Sequence, residues 1–306
     1  MNKHWLVIGC GALGMRWAAR LLEQGHQVTL LHRYQTHPTE ISVEDSSGIK
    51  QSYQPNFATS ASLTSKFEQV LICTKAYDAL PAFLDIKSLT RKSADIVCLC
   101  NGFGAQQELI PHLKEHQSLW AGVTNEGTLK INDSSIRLTG EGDTFIGVLH
   151  SPTSRPNPLE DFHCANIECR LLEKLAINAV INPLTAIFGV TNGEILQTPV
   201  RNIFDAAVAE IKSCYRDQGF PHHPITKELD LEMLGNRIAT VAHMTGLNHS
   251  SMLQDIRLKR KTEVDYICGY FAKQEQIECP LQDLLYEAIN NPAELESYQR
   301  KLLNFF

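Results

Sequence analysis

Hydrophobic and polar positions change their period near the middle of the chain. In the first half short apolar runs alternate with helical spacing: residues 5–8 are apolar, 15–24 repeat at helical spacing, and 27–31, 69–74 and 95–100 read as strands. Such alternation predicts a mostly parallel sheet covered by helices. Between residues 122 and 149, short runs separated by Asn132-Asp133-Ser134 and Gly140-Glu141-Gly142-Asp143 predict hairpins that add antiparallel strands to that sheet. A Pro/Ser/Asn-rich segment follows at 151–158, and the pattern then turns to long helical repeats at 167–188, 199–218, 226–242, 262–276 and 280–289. The expected fold is α/β over residues 1–165, followed by an all-helical domain over 166–306.

Composition removes several classes of partner. The formal net charge is −6 and there is no dense Lys/Arg stripe, so a nucleic acid would find little to neutralise its phosphates. The compact basic run Lys259-Arg260-Lys261 reads as a solvated loop or helix end. No run approaches the roughly 18 consecutive apolar residues of a membrane span, and residues 5–8 are too short for a signal-peptide core, so a cytoplasmic protein without a membrane partner is expected. Of the nine cysteines, Cys73, Cys98 and Cys100 lie in apolar runs; with no CxxC pair or Cys/His ligand spacing, no metal site is expected and the thiols read as reduced, mostly buried small hydrophobes. Monomer and homodimer stay equally open.

The first chemistry-bearing motif is Gly9-Cys10-Gly11-Ala12-Leu13-Gly14, a GxGxxG turn directly after an apolar strand and directly before an amphipathic helix. Gly9 permits the tight turn, Gly11 lets the backbone approach a pyrophosphate, and Gly14 lets helix pack closely on strand, while the helix N-terminus offers N–H groups to the phosphates. The N-terminal domain is thereby expected to be a Rossmann-type dinucleotide-binding domain. After the next strand, where an NAD site would carry Asp or Glu for the ribose 2′-hydroxyl, the chain has His32-Arg33. A guanidinium there suits a 2′-phosphate, so the expected cofactor is NADP(H), with a solvated loop charge as the alternative for Arg33.

Lys75 and Asn101 follow two strand ends and fall on the rim where open α/β sheets bind ligands. Asn101 precedes Gly102, so turn chemistry alone would also account for it. In the helical half, Lys174, Asn178 and Asn182 are spaced by four, each about 40° around the axis from the one before. They form one polar stripe on an otherwise apolar helix, and a buried lysine needs a reason. A stripe facing solvent, or a lysine matched by a local carboxylate, is the alternative.

Together these residues resemble ketopantoate reductase, nearly end to end. The marks are Gly9 to Gly14 with Arg33, Thr74-Lys75-Ala76, Asn101-Gly102-Phe103-Gly104, Glu173-Lys174-Leu175-Ala176-Ile177-Asn178, Asn182-Pro183-Leu184-Thr185-Ala186, Ser250-Ser251-Met252-Leu253-Gln254-Asp255 and Thr262-Glu263-Val264-Asp265-Tyr266. The resemblance implies NADPH-dependent reduction of ketopantoate, a 2-oxo acid, to pantoate on the route to pantothenate and coenzyme A. It implies catalytic roles for Lys174, as general acid, and for Glu263, which would bind the substrate's terminal hydroxyl. Cys10, Ala12, Leu13 and the three glycines with Arg33, Lys75 and Asn101 would contact cofactor; Asn101, Lys174, Asn178, Asn182, Asn248, Ser251 and Glu263 would contact substrate. A same-fold reductase of another 2-oxo acid and a non-catalytic NADP-binding sensor are the competing functions.

Two local readings bear on that assignment. Ser251 with Gln254 fits a capping box, so a helix N-cap is as good a reading as a ligand. An unbroken helix from Ser251 to Glu263 would separate them by about 18 Å, so a break between Asp255 and Thr262 is expected, with Glu263 in the first turn of the next helix and Asp265 as its nearby competitor. Lys174 at its ordinary pKa would be a weak proton donor at neutral pH, and a dry site would improve it.

Overall fold

The apolar run at the N-terminus forms β1 (His4–Ile8), in which Trp5 to Val7 are fully buried, as expected of a strand covered on both faces. In the computed structural model, which describes residues 2–33, 37–216, 229–274 and 278–305, the chain continues through α1 (Ala12–Glu23), β2 (Gln27–Leu31), β3 (Ile41–Glu44), β4 (Lys50–Tyr53), β5 (Asn56–Ala58), β6 (Phe67–Ile72), α2 (Ala76–Ile86), β7 (Thr90–Cys98), β8 (Ser118–Thr124), β9 (Gly127–Lys130), β10 (Ser135–Gly140) and β11 (Thr144–His150). Seven strands form one sheet in the order β11-β8-β7-β6-β1-β2-β5, parallel except for β11 on β8. The carboxyl ends of β1, β2, β6 and β7 therefore share one rim.

The hairpin expectation holds for β11, which extends this sheet antiparallel, and needs correcting for β9 and β10. That hairpin joins the β3–β4 hairpin in a separate sheet, β4-β3-β10-β9, with β10 parallel to β3. Helix α1 packs both on β1 and β2 and on β3, β9 and β10. The reason is burial: Trp17 on α1 shares a core with Ile41 and Val43 on β3 and Ile136 on β10.

Beyond Ile167 the structure is helical: α3 (Ile167–Phe188), α4 (Val200–Arg216), α5 (Leu231–Met244), α6 (Ser251–Arg257), α7 (Cys268–Ala272), α8 (Pro280–Asn290) and α9 (Leu295–Phe305). The chain packs as two compact units, Met1–Cys100 with Ala105–Ile167, and Asn101–Gly104 with Glu168–Phe306. The loop after β7 thus belongs with the helices. The predicted ends 217–218, 226–228 and 275–276 lie outside the described residues. By length and composition α3 would pass as a membrane span, but 72% of its most apolar stretch is buried, the mark of a core helix.

The predicted helix 262–276 is two pieces, a single 3-10 turn at Val264–Tyr266 and then α7. Phe103 N–H donates to the Tyr266 carbonyl at 3.0 Å, taking the acceptor that a continuous helix would offer to Tyr270. One further expectation fails. Cys214, on α4, and Cys279, just before α8, form a disulfide between residues 65 apart, so these two are not reduced thiols; the other seven cysteines lie outside it. Packing of α4 against α8 brings them together, a contact that spacing in the chain does not reveal.

Candidate active site

In the first unit the glycine turn closes onto the end of β6. Gly9 has φ +105, and a Cβ there would stand 2.8 Å from the Cys73 carbonyl oxygen. A Cβ on Gly14 would run into the Gly9 carbonyl oxygen, so helix and turn approach as only glycine allows. Gly11 differs: a Cβ there would meet nothing within 4 Å. It is the N-cap of α1, with no side chain capping the helix, so the cradle has open space and helix-end N–H groups on one side. A dinucleotide pyrophosphate fits that combination of space, charge and donors.

The rest of the rim carries both signs of charge. Arg33, just past β2, is largely exposed, and its guanidinium lies 3.6 Å from the Asp78 carboxylate in the first turn of α2. Lys75, half-buried, is the N-cap of α2 and directly follows Thr74, whose backbone abuts Gly9. Cys10 is half-buried in the turn, and burial raises its thiol pKa.

In the second unit the polar stripe lies along α3 as spacing predicted, with Lys174 and Asn178 half-buried and Asn182 buried. Pro183, inside the helix, has no N–H for the Ala179 carbonyl; Gln282 Nε2, from α8, donates to that carbonyl at 3.3 Å. Thr185, fully buried, links the stripe to the next element: its Oγ1 lies 2.9 Å from the Asn182 carbonyl and donates to Ser250 Oγ at 2.7 Å. Ser250, rather than Ser251, is the N-cap of α6, accepting from Leu253 N–H at 3.1 Å. The capping-box reading of Ser251 is thereby corrected, because the buried hydroxyl does the capping and Ser251 is exposed at the first helical position. Asn248, also exposed, lies in a loop tied down through its own carbonyl to Asn192 N–H at 2.9 Å.

The expected break is present. Helix α6 stops at Arg257, and Glu263 immediately precedes the 3-10 turn. Glu263 is 4% exposed and accepts a hydrogen bond from Asn101 Nδ2 at 3.2 Å. The loop carrying Asn101 is seated closely, because a Cβ on Gly102, at φ +84, would strike the Tyr266 backbone, and the Phe103 ring packs 5.0 Å from that of Tyr270. Asp265 is engaged elsewhere, accepting from Lys273 Nζ at 2.9 Å and Tyr286 Oη at 2.7 Å. Burial pushes its pKa up, the two donors pull it down, and the net result lies below its ordinary value.

Two family models match this chain, ketopantoate reductase PanE/ApbA over residues 5–151 and its C-terminal domain over 166–293. The chain belongs to the ketopantoate reductase family. It is 32% identical to 2-dehydropantoate 2-reductase of Yersinia pestis, over 92% of this chain and 93% of that one. A crystal structure of probable 2-dehydropantoate 2-reductase from Bacillus subtilis superposes with a TM-score of 0.73 at 25% identity, over 94% and 99% of the two chains. The fold is shared more widely: the ternary structure of D-mandelate dehydrogenase with NADH and anilino(oxo)acetate gives 0.78 at 20% identity, over 97% and 99%.

Several neighbours of the candidate residues carry no distinct signal in the sequence. Thr185 has no chemical signature of its own in the sequence, and Ser250 is set apart from Ser251 by its buried contact with Thr185. Asp78 was unremarked, although a carboxylate three residues after Lys75 on a new helix falls on the same rim.

Proposed function

We propose that this family member reduces 2-dehydropantoate to pantoate with NADPH, on the route to pantothenate and coenzyme A. The glycine turn, with Lys75 and Arg33, holds the cofactor, Arg33 pairing with the 2′-phosphate. Bound there, the nicotinamide supplies a hydride. Asn178, Asn182, Asn248 and Ser251 hold the 2-oxo acid, and Asn101 contributes to both ligands. As the hydride reaches C2, negative charge grows on the carbonyl oxygen; the Lys174 ammonium stabilises it and gives it a proton, yielding the 2-hydroxy acid.

The hydrogen bond between Asn101 and Glu263 carries the choice of substrate. It joins two residues 162 apart in the chain that the family resemblance assigns to one ligand. A buried carboxylate in that place suits a substrate with a terminal hydroxyl, which simpler 2-oxo acids lack. The likeness of fold to D-mandelate dehydrogenase favours the second reading, a reductase of another 2-oxo acid.

The test follows NADPH absorbance with 2-dehydropantoate against a panel of 2-oxo acids without the terminal hydroxyl. The expected result is the highest kcat/KM on 2-dehydropantoate; equal or higher values on the others would transfer the assignment to the second reading. Lys174→Ala should lower kcat by about 10²–10⁴-fold with NADPH binding retained. Near-normal turnover of that variant would remove Lys174 as the acid, and no turnover of any 2-oxo acid by the unaltered protein would leave the non-catalytic sensor.

A further inference from the structure

The corner of the first unit where β2 ends is unusual in its charge arrangement for a site expected to take a phosphate dianion. Arg33 is 74% exposed yet lies 3.6 Å from Asp78, itself 39% exposed. Asp78 occupies the first turn of α2. A second cation near the turn repeats the pattern. Lys130, at the end of β9, donates to Asp133 at 2.7 Å in the β9–β10 turn, and both interact electrostatically with Cys10 of the glycine turn. Asp133 also interacts with His32, the residue before Arg33. Arg33 and Lys130 thus each stand beside a carboxylate of the same unit.

A phosphate arriving at Arg33 has to share the guanidinium with Asp78 and sits in the field of that carboxylate. A ribose 2′-hydroxyl does neither, and a carboxylate is the group that NAD sites use to accept it. Here α2, and not the end of β2, supplies that carboxylate. The Arg33–Asp78 geometry leads us to infer that Asp78 sets the cofactor discrimination of this protein, weakening its hold on the 2′-phosphate and admitting NADH beside NADPH. The inference rests on the assignment of Arg33 to the 2′-phosphate. Asp78 acts on the ratio of the two affinities and has no part in hydride or proton transfer.

The experiment measures Kd for NADPH and for NADH by nicotinamide fluorescence at low ionic strength, with the unaltered protein, Asp78→Asn, Asp78→Ser and Arg33→Ala. Both Asp78 variants should raise the ratio of the NADH Kd to the NADPH Kd by about two- to fivefold, the size of an exposed charge interaction. The increase should shrink in added salt, as exposed charges are screened. Arg33→Ala should weaken NADPH by about tenfold or more and leave NADH within about twofold. If Arg33→Ala weakens NADPH selectively while both Asp78 variants keep the ratio of the unaltered protein, the inference about Asp78 is overturned and the Arg33 assignment stands. If Arg33→Ala leaves NADPH binding unchanged, the Arg33 assignment falls and the inference falls with it. A salt-independent change in the ratio would also overturn it, since a merely structural effect of Asp78 would not follow screening.

Discussion

At Gly11 a Cβ would meet no protein atom within 4 Å, whereas at Gly14 it would run into the Gly9 carbonyl oxygen. The same substitution should therefore have two different outcomes one helical turn apart. Gly11→Ala should change unfolding free energy by no more than about 1 kcal/mol, the scale of an N-cap change, and should weaken NADPH binding severely because its methyl fills the cradle. Gly14→Ala should lower the thermal midpoint and abolish binding together, because helix and turn must separate to admit it. Thermal melts and fluorescence titration of both variants check this; full NADPH affinity in Gly11→Ala would remove the pyrophosphate from that position. The serines show a different limit. Ser250 and Ser251 are the same residue type in adjacent positions, and only burial against Thr185 decides which of them caps α6.

Between elements, interruption of regular structure positions the polar groups. Pro183 leaves the Ala179 carbonyl of α3 without its helical donor, and fully buried Gln282 brings one from α8. Gln282→Leu should cost about 1–3 kcal/mol in urea denaturation, the price of a buried acceptor left unpaired. Pro183→Ala restores the helical N–H, so the same Gln282→Leu change made in that background should cost measurably less; equal costs in both backgrounds would show that the pair does not act together. The 3-10 turn before α7 has a comparable origin. Phe103 takes the Tyr266 carbonyl, helical pairing is interrupted there, and Glu263 is left beside Asn101.

Across the helical unit, Glu210 on α4 caps α8 from outside, its two carboxylate oxygens accepting from Leu281 and Gln282 N–H at 2.8 Å each. Burial is the largest influence and holds its pKa above the ordinary 4.5 in spite of those donors. The folded state therefore holds the Glu210 proton more tightly than the unfolded chain does. Its stabilising contribution is complete below 4.5 and is lost as pH rises through the raised folded pKa. Glu210→Gln should remove this dependence, so that raising the pH from 4.5 toward neutrality costs the unaltered protein more stability than the variant. Urea midpoints across that range provide the check, and parallel profiles for the two proteins would reject the effect.

The sequence alone determined the parallel α/β half, the glycine turn and the polar stripe on α3, because each is written in short-range spacing: strand and helix periods, three glycines within six positions, polar residues four apart. The break before Glu263 was expected from the family resemblance, which puts Ser251 and Glu263 on one ligand, since an unbroken helix would hold them about 18 Å apart. Other features depended on groups meeting across long stretches of chain. They include the separate sheet built from two distant hairpins, the disulfide, the contact of Ser250 with Thr185, the seating of Asn101 on Glu263 and the pairing of Arg33 with Asp78. Tertiary structure decided these because burial and the pairing of polar groups are settled by what lies opposite in space, and local periodicity carries no record of that.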